Sequence, residues 1–192
     1  NKDFLNIEQN TNIKYDVIYS GNFSEWKGLD VLVEAISIIK HQYNRDIKAV
    51  LIGANDQTKQ QYEDQAKELG VFDNIEIVKR VEHKNIYNYI AQSTVGVLSN
   101  RYDADGLLFT SPLKLYEYLG SGLKVVVSRL PSIESNINES LVYYATPEKP
   151  ESFAKEIIRA LDDDDFDINK IKDFSKNYTW ESRSKKFMEF IS

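Results

Sequence analysis

From Tyr15 onward, short runs rich in β-branched residues alternate with longer stretches of helical periodicity, and this alternation limits the possible folds more than any other feature. We predict strands at 15–20, 47–52, 75–78, 95–98, 125–128 and 141–144, and helices at 28–40, 58–69, 85–92, 112–119, 151–161 and 180–191. Strands that alternate with helices form βαβ units around a parallel sheet. The pattern therefore predicts an α/β fold, a Rossmann-like parallel sheet with helices on both faces.

The length of 192 residues suits one α/β domain with a full core. The first dozen residues are polar and do not begin with methionine, so we expect residues 1–13 to be a linker. Residues 14–177 are expected to form the domain, and residues 178–192 a C-terminal helix. The sequence thus predicts a single compact unit with a short extension at each end.

Charge and cysteine content exclude several classes of partner. The net charge is −6 and no local basic patch is visible, which argues against nucleic acid as a ligand. The chain has no cysteine, which rules out disulfides and thiolate chemistry and is compatible with a cytoplasmic protein. The acidic run at 162–165 lacks the alternating spacing of a calcium loop, so we expect no metal site there.

The loop after the first predicted strand, residues 21–28, combines glycine with a lysine. Gly21 permits a turn with positive φ and close backbone approach. Lys27 lies at the start of the next helix, where the peptide dipole already favours an anion, so the cation is unfavourable unless an anion relieves it. The loop is either a phosphate site or a solvated lysine ahead of a helix.

A second lysine stands at the start of another predicted helix. Ser111 and Pro112 have the pattern of an N-cap followed by proline at the first helical position. Lys114 occupies the place where a capping box would have Glu or Gln. If both helix starts face one crevice, Lys27, Lys114 and the free backbone N–H groups near Leu113 converge on a group with two negative charges, such as a diphosphate.

Glu117 follows Lys114 by three residues on the same helical face. A carboxylate there can accept hydrogen bonds from both vicinal hydroxyls of a ribose. The alternative is an ordinary i,i+3 salt bridge between the two side chains, which is weak at a surface. Both interpretations remain open from these residues alone.

Five motifs occur in a characteristic order. They are Tyr19-Ser20-Gly21-Asn22, Lys27-Gly28-Leu29-Asp30, Leu51-Ile52-Gly53, Ser111-Pro112-Leu113-Lys114-Leu115-Tyr116-Glu117-Tyr118-Leu119-Gly120-Ser121-Gly122 and Tyr178-Thr179-Trp180-Glu181. In this order they resemble the C-terminal domain of retaining GT-B glycosyltransferases of the large family 4. The likeness runs from about Tyr15 to the C-terminus.

The resemblance implies a donor-binding role for particular residues. It implies that Lys27 and the helix start from Ser111 through Pro112 to Leu113 hold the donor diphosphate, and that Glu117 binds the ribose.

It places Gly21 and Asn22 in the same site, and it places the backbone at Arg80 and Val81 around the base. The alternative for Arg80 and Val81 is that they are ordinary loop residues. Lys27 and Lys114 are the implied catalytic cations, which stabilise the departing diphosphate without a metal or other cofactor.

The chain departs from the family pattern at two positions. Asn22 stands where the family often has arginine, and Phe109 stands where it has the first glutamate of a Glu-x7-Glu motif. The chain resembles the Ser-Pro-x-Lys variant, in which we expect Lys114 to take over a charge role. Asp103 or Asp105 is then the candidate to approach the donor sugar.

The resemblance implies the donor-binding half of a retaining glycosyltransferase, acting in bacterial polysaccharide or glycoconjugate synthesis. The expected partners are a nucleotide sugar and an N-terminal acceptor domain, with peripheral membrane association through that domain. Two alternatives remain open. One is a sugar-nucleotide epimerase of the same architecture, and the other is a non-catalytic partner subunit, which would explain Phe109 and Asn22.

Overall fold

The sheet has six parallel strands in the order β3-β2-β1-β4-β5-β6. The computed structural model describes residues 3–7, 12–102, 113–178, 184 and 188. The strands are β1 (Tyr15–Ser20), β2 (Ala49–Ala54), β3 (Ile75–Lys79), β4 (Ser93–Leu98), β5 (Lys124–Ser128) and β6 (Tyr143–Ala145). The predicted α/β fold class is therefore confirmed.

Seven α-helices lie around this sheet in the described part of the chain. They are α1 (Leu29–His41), α2 (Asp56–Glu68), α3 (His83–Ala91), α4 (Leu113–Gly120), α5 (Pro131–Glu134), α6 (Pro150–Asp162) and α7 (Ile168–Lys176). Helices α1, α2 and α6 contribute to the core on one face, and α3, α4, α5 and α7 contribute to the core on the other. None of the described helices has both the length and the hydropathy needed to span a membrane.

Each strand contributes side chains to both cores. In β1, Val17 and Tyr19 face the core that includes α1, while Ile18 faces the core that includes α4. All three are buried, with 1% exposure or less. This continuous apolar character is expected when both faces of a parallel sheet are covered by helices. Packing on both faces of the sheet also holds the strand ends, and the loops that follow them, in fixed positions.

Most predicted elements are present, with shifted ends. Strand β2 begins at Ala49 rather than at position 47, and α3 begins at His83 rather than at position 85. Helices α5 and α7 were not predicted. Helix α7 is short, and its N-cap is Asp167, whose carboxylate accepts a hydrogen bond from the Lys170 amide. Of the helix predicted at 180–191, only Ser184 and Met188 are described, and both are helical.

Part of the segment predicted as a linker packs against the domain. Residues Asp3–Asn6 form a 3-10 turn. Phe4 and Ile7 are buried in the core that includes α4. A Cβ added at Gly120 would lie only 2.3 Å from the Phe4 ring, so that ring packs directly on the end of α4. The domain boundary at residue 13 stays a prediction.

The chain order of the strands reverses between β1 and β4. From β1 the chain proceeds outward to β2 and β3, then returns to β4 and proceeds the other way. Ligands of open α/β sheets bind at such a switch point, beyond the carboxyl ends of the strands. The loops after β1 and β4 are therefore the place to examine for a site.

Candidate functional site

Two neighbouring cavities open at the carboxyl ends of the central strands. The first, the switch-point cavity, has a volume of about 450 Å³ and is lined by Tyr19, Ser20, Gly21, Asn22, Trp26, Lys27, His83, Leu98, Asn100, Leu113, Lys114, Glu117 and Ile133. The second, the β3-side cavity, has a volume of about 430 Å³ and is lined by Gly21, Asn22, Ile52, Gly53, Arg80, Val81, His83, Ile86 and Lys114. They share Gly21, Asn22, His83 and Lys114.

Eight of the ten residues predicted for donor binding line these cavities. Leu113, Lys114 and Glu117 come from α4, Arg80 and Val81 follow β3, and the others follow β1. Ser111 and Pro112 lie outside the described residues, as do Asp103, Asp105 and Phe109. The structure therefore brings together the predicted residues that it describes, although their contacts with a ligand remain predictions.

Gly21 does not use the positive φ that glycine permits. Positive φ occurs instead at Gly53, with φ 120°, and at Gly28, with φ 60°. A Cβ added at Gly53 would lie 1.9 Å from the Gly21 carbonyl oxygen. The backbone of β2 at Gly53 therefore touches the backbone just after β1. At Gly21 an added Cβ would lie 2.7 Å from the Tyr19 hydroxyl oxygen, so a side chain there is opposed by this contact rather than by φ.

Lys27 precedes helix α1 in a 3-10 turn, Glu25–Lys27, that ends at Gly28. Its ammonium nitrogen lies 3.7 Å from the centroid of the Trp26 ring. Burial lowers the pKa of Lys27 to about 8, because desolvation disfavours the charged form. Among the described residues no carboxylate pairs with it. A half-buried cation that faces a cavity without a counter-ion among the described residues is a favourable partner for an anionic ligand.

The loop after β4 holds the Lys27 backbone in place. The Ser99 hydroxyl donates a hydrogen bond to the Lys27 carbonyl at 2.9 Å. A Cβ added at Gly28 would lie 2.3 Å from the Ser99 carbonyl oxygen, so only glycine fits there. Because these contacts join the loops on either side of the switch point, the position of Lys27 depends on the pairing of β1 with β4.

Arg101 reinforces this connection. Its backbone amide donates to the Trp26 carbonyl at 2.9 Å, and its Nε donates to the Glu25 carbonyl at 3.2 Å. The two terminal nitrogens pair with Asp30 of α1 and, at 3.0 Å, with Glu148. One guanidinium therefore ties the 3-10 turn to α1 and to the segment after β6, which restricts the movement of that turn.

Lys114 and Glu117 form an ion pair in the wall of the switch-point cavity. Lys114 Nζ lies 2.6 Å from Glu117 Oε2, and the side chains are 25% and 15% exposed. The i,i+3 salt bridge considered from the sequence is thus present, and it lines the cavity rather than an open surface. The carboxylate remains accessible to a ligand that approaches from the cavity.

Tyr118 fastens α4 to the end of β1. The Ser20 amide donates a hydrogen bond to the Tyr118 hydroxyl at 2.7 Å, and the Ser20 hydroxyl lies 3.0 Å from the same oxygen. Tyr118 is fully buried against Gly96, where an added Cβ would lie 2.5 Å from the ring. Burial raises the pKa of Tyr118, so its hydroxyl stays neutral. The helix that carries Glu117 is therefore held against the loop that carries Gly21.

His83 is one of the cavity residues that the sequence did not indicate. Its side chain is half exposed and lines both cavities. The one feature of the sequence that points to His83 is its position two residues after Val81, in the segment expected to frame a base. Within the described residues there is no cluster of three or more His, Asp or Glu side chains that could hold a metal ion.

The fold and the position of the cavities define a class. A parallel sheet with the order β3-β2-β1-β4-β5-β6 and a cavity at its switch point is a Rossmann-like ligand-binding domain. The model of the family "Glycosyl transferases group 1" matches residues 2–179. The chain therefore belongs to the group 1 glycosyltransferase family. No curated protein matches the chain significantly in sequence.

Solved structures with a similar fold are glycosyltransferases and related proteins. A glycosyltransferase from Rickettsia africae has a TM-score of 0.79 and 18% identity, and the match covers 99% of this chain and 54% of that one. The C-terminal domain of a group 1 glycosyl transferase from Francisella tularensis has a TM-score of 0.65 and 17% identity, with 96% and 97% covered. The Anabaena protein HepE has a TM-score of 0.64 and 16% identity, with 86% and 48% covered.

Proposed function

We propose that the chain is the donor-binding domain of a retaining glycosyltransferase. In this proposal the switch-point cavity and the β3-side cavity together hold a nucleoside-diphosphate sugar. Transfer to an acceptor hydroxyl would take place with retention at the anomeric carbon, in polysaccharide or glycoconjugate synthesis. The single observation that carries the proposal is the half-buried Lys27, which pairs with no carboxylate among the described residues, in a cavity that it shares with the Lys114–Glu117 pair, in a chain of the group 1 glycosyltransferase family.

The charges around the cavity fit a diphosphate. Lys27 and Lys114 provide two cations. Within the described residues α4 begins at Leu113, which lines the same cavity, so the positive end of the helix dipole lies beside it. Cleavage of the bond between the anomeric carbon and the donor oxygen leaves negative charge on the departing diphosphate. Fixed cations stabilise this charge in a partly dehydrated site, where electrostatic interactions are stronger than in water. In this mechanism the lysines take the role that a metal has in other transferases.

The shared wall of the two cavities suggests how the nucleotide is oriented. We assign the phosphates to the side of Lys27 and the base to the β3-side cavity, where the chain carries Arg80 and Val81. The ribose then lies between them, within reach of Glu117. Two structures with a similar fold support a nucleotide ligand, because a pneumococcal O-GlcNAc transferase was solved with UDP and GlcNAc, and HepE with UDP and glucose.

The acceptor side is assigned to a second domain. The chain spans 54% of the Rickettsia africae glycosyltransferase and 48% of HepE, so it corresponds to about half of their length. We therefore propose that the acceptor site, and any membrane contact, lie outside this chain.

A thermal-shift panel of UDP, GDP, ADP and their sugar conjugates tests the proposal. A ligand that binds the folded state raises the melting temperature, and we expect one base to do so most strongly. Glu117→Ala should then weaken binding by roughly 1.5 to 3 kcal/mol, the cost of a lost hydrogen bond to a charged group.

The matched control is Glu63→Ala, which removes a carboxylate paired with Lys59 on α2 and lining neither cavity. We expect it to leave affinity unchanged. Failure of every nucleotide to bind would contradict the proposal and favour a non-catalytic partner subunit. Conversion of a sugar nucleotide without an acceptor would indicate an epimerase.

A further inference from the structure

His83 stands where the two cavities meet. It is the first residue of α3, and its side chain is 51% exposed and lines both cavities. It contributes neither to the buried core nor to the strand contacts that hold the site together. Core packing therefore does not explain the position of His83. Its imidazole is accessible from both cavities.

The imidazole has one nitrogen directed toward each of two partners. Nδ1 lies 3.3 Å from the Tyr87 hydroxyl, one helical turn further along α3. The two rings meet edge to face, with centroids 5.2 Å apart and planes at 85°. Nε2 lies 3.8 Å from Glu117 Oε1. The bond made by one ring nitrogen selects which nitrogen carries the proton, so a Tyr87 hydroxyl that donates to Nδ1 leaves Nε2–H facing the carboxylate.

The Glu117 carboxylate thus has a nitrogen donor near each oxygen. Lys114 contacts Oε2 at 2.6 Å, and His83 faces Oε1 at 3.8 Å. An ionised carboxylate has about four lone-pair positions, two on each oxygen. When one donor occupies a position on each oxygen, the carboxylate is held in one plane and keeps an acceptor position on each oxygen. That arrangement suits two adjacent hydroxyl groups of a ligand.

We propose that His83 is a positioning residue that orients the Glu117 carboxylate to receive the vicinal hydroxyls of a ribose. The inference rests on the proposed function, because it requires a nucleotide in the cavity. The gap of 3.8 Å between Nε2 and Oε1 is longer than a hydrogen bond. It closes on ligand binding, as contacts of this kind commonly shorten in the complex. His83 acts through Glu117, and the sugar hydroxyls contact Glu117.

A double-mutant cycle tests this coupling. The dissociation constants of UDP, GDP and ADP are measured by calorimetry for the unchanged chain, H83A, E117A and H83A/E117A. For the nucleotide that binds most tightly, we expect H83A to raise the dissociation constant by roughly three- to tenfold, a loss typical of one hydrogen bond. In the E117A background the same change should cost less than about twofold, because coupled residues are not additive. H83Q, whose amide also donates, should restore part of the affinity.

The control is Lys84→Ala on the same helix. Lys84 is 77% exposed, pairs with Glu82 and lines neither cavity, so its removal should leave affinity within about twofold. An equal loss from H83A in both backgrounds, or no loss in either, overturns the inference while the proposed function stands. Failure of the unchanged chain to bind all three nucleotides overturns both, so the two failures are distinguishable.

Discussion

The fold places the Lys27 side chain where it loses part of its hydration. The side chain is partly buried over Trp26, and desolvation lowers its pKa to about 8. The indole ring offsets part of this cost, because an aromatic face attracts a desolvated cation. The remaining cost is relieved when an anion enters the cavity. We therefore expect Lys27 to contribute to ligand binding rather than to folding.

This property predicts a pH dependence of nucleotide binding. Lys27 has a pKa of about 8 without ligand, and a bound diphosphate raises that pKa. Above about pH 8 binding must therefore take up a proton, so affinity falls as pH rises, by at most about tenfold per pH unit. The terminal phosphate does not cause the fall, since its second pKa of about 6 means that it is already ionised.

Calorimetric titrations between pH 7 and pH 9.5 measure this effect. We expect the affinity of the chain to decline above pH 8. Lys27→Gln should bind more weakly throughout and show a flatter profile in the same range. Constant affinity of the unchanged chain across the range would contradict the assignment of Lys27 to the diphosphate.

At the scale of elements, the site depends on how α4 docks on the sheet. The Tyr118 hydroxyl accepts the amide hydrogen of Ser20, a contact between residues 98 positions apart. Both partners are buried. Glu117 therefore reaches the cavity because the next residue of its helix is fastened to the end of β1. Ser99 and Arg101 fix the Lys27 turn in the same manner from the end of β4.

Tyr118→Phe should destabilise the fold without creating a void. The ring and its packing on Gly96 remain, but the Ser20 amide loses its buried partner. An unsatisfied buried donor costs about 1 to 3 kcal/mol, which urea unfolding measures as a lower midpoint with an unchanged slope. Tyr43→Phe is the control, because Tyr43 is 48% exposed and should stay within about 0.5 kcal/mol of the original stability. Equal stability of the two variants would contradict this role for Tyr118.

At the scale of the whole molecule, the chain is one lobe built around two cores on either side of a single sheet. The isolated C-terminal domain from Francisella tularensis has a similar fold and is matched over 97% of its length. A lobe of this size can thus exist as a separate unit in that protein.

We expect the chain to bind its nucleotide sugar without transferring the sugar. The physical reason is that transfer requires an acceptor hydroxyl to be held close to the anomeric carbon, and orientation of two reactants supplies a large share of the rate. Release of nucleoside diphosphate, measured with a binding-competent preparation and candidate acceptors, should stay at background. Full turnover by the chain alone would contradict the assignment of the acceptor site to a second domain.

The sequence by itself determined the class of fold and most of the elements, because helical and strand periodicity depend on residues that are close in the chain. It also indicated Lys27 and Lys114, since a lysine at a helix start conflicts with the helix dipole, and Glu117, which follows Lys114 by three residues on the same helical face. Helix α5 escaped because its four residues are too few to show helical periodicity. Helix α7 was missed although Ile168, Ile171 and Phe174 recur at helical spacing.

Only the tertiary structure decided how these pieces meet. The strand order brings β1 beside β4, and this pairing creates the switch-point cavity and buries Lys27. The proximity of His83 to Glu117 and the hydrogen bond between Ser20 and Tyr118 both involve residues far apart in the chain. Such contacts depend on packing across the sheet rather than on local composition. The sequence therefore determined which chemical groups are present, and the packing of α3 and α4 against the sheet decided which of them face one another.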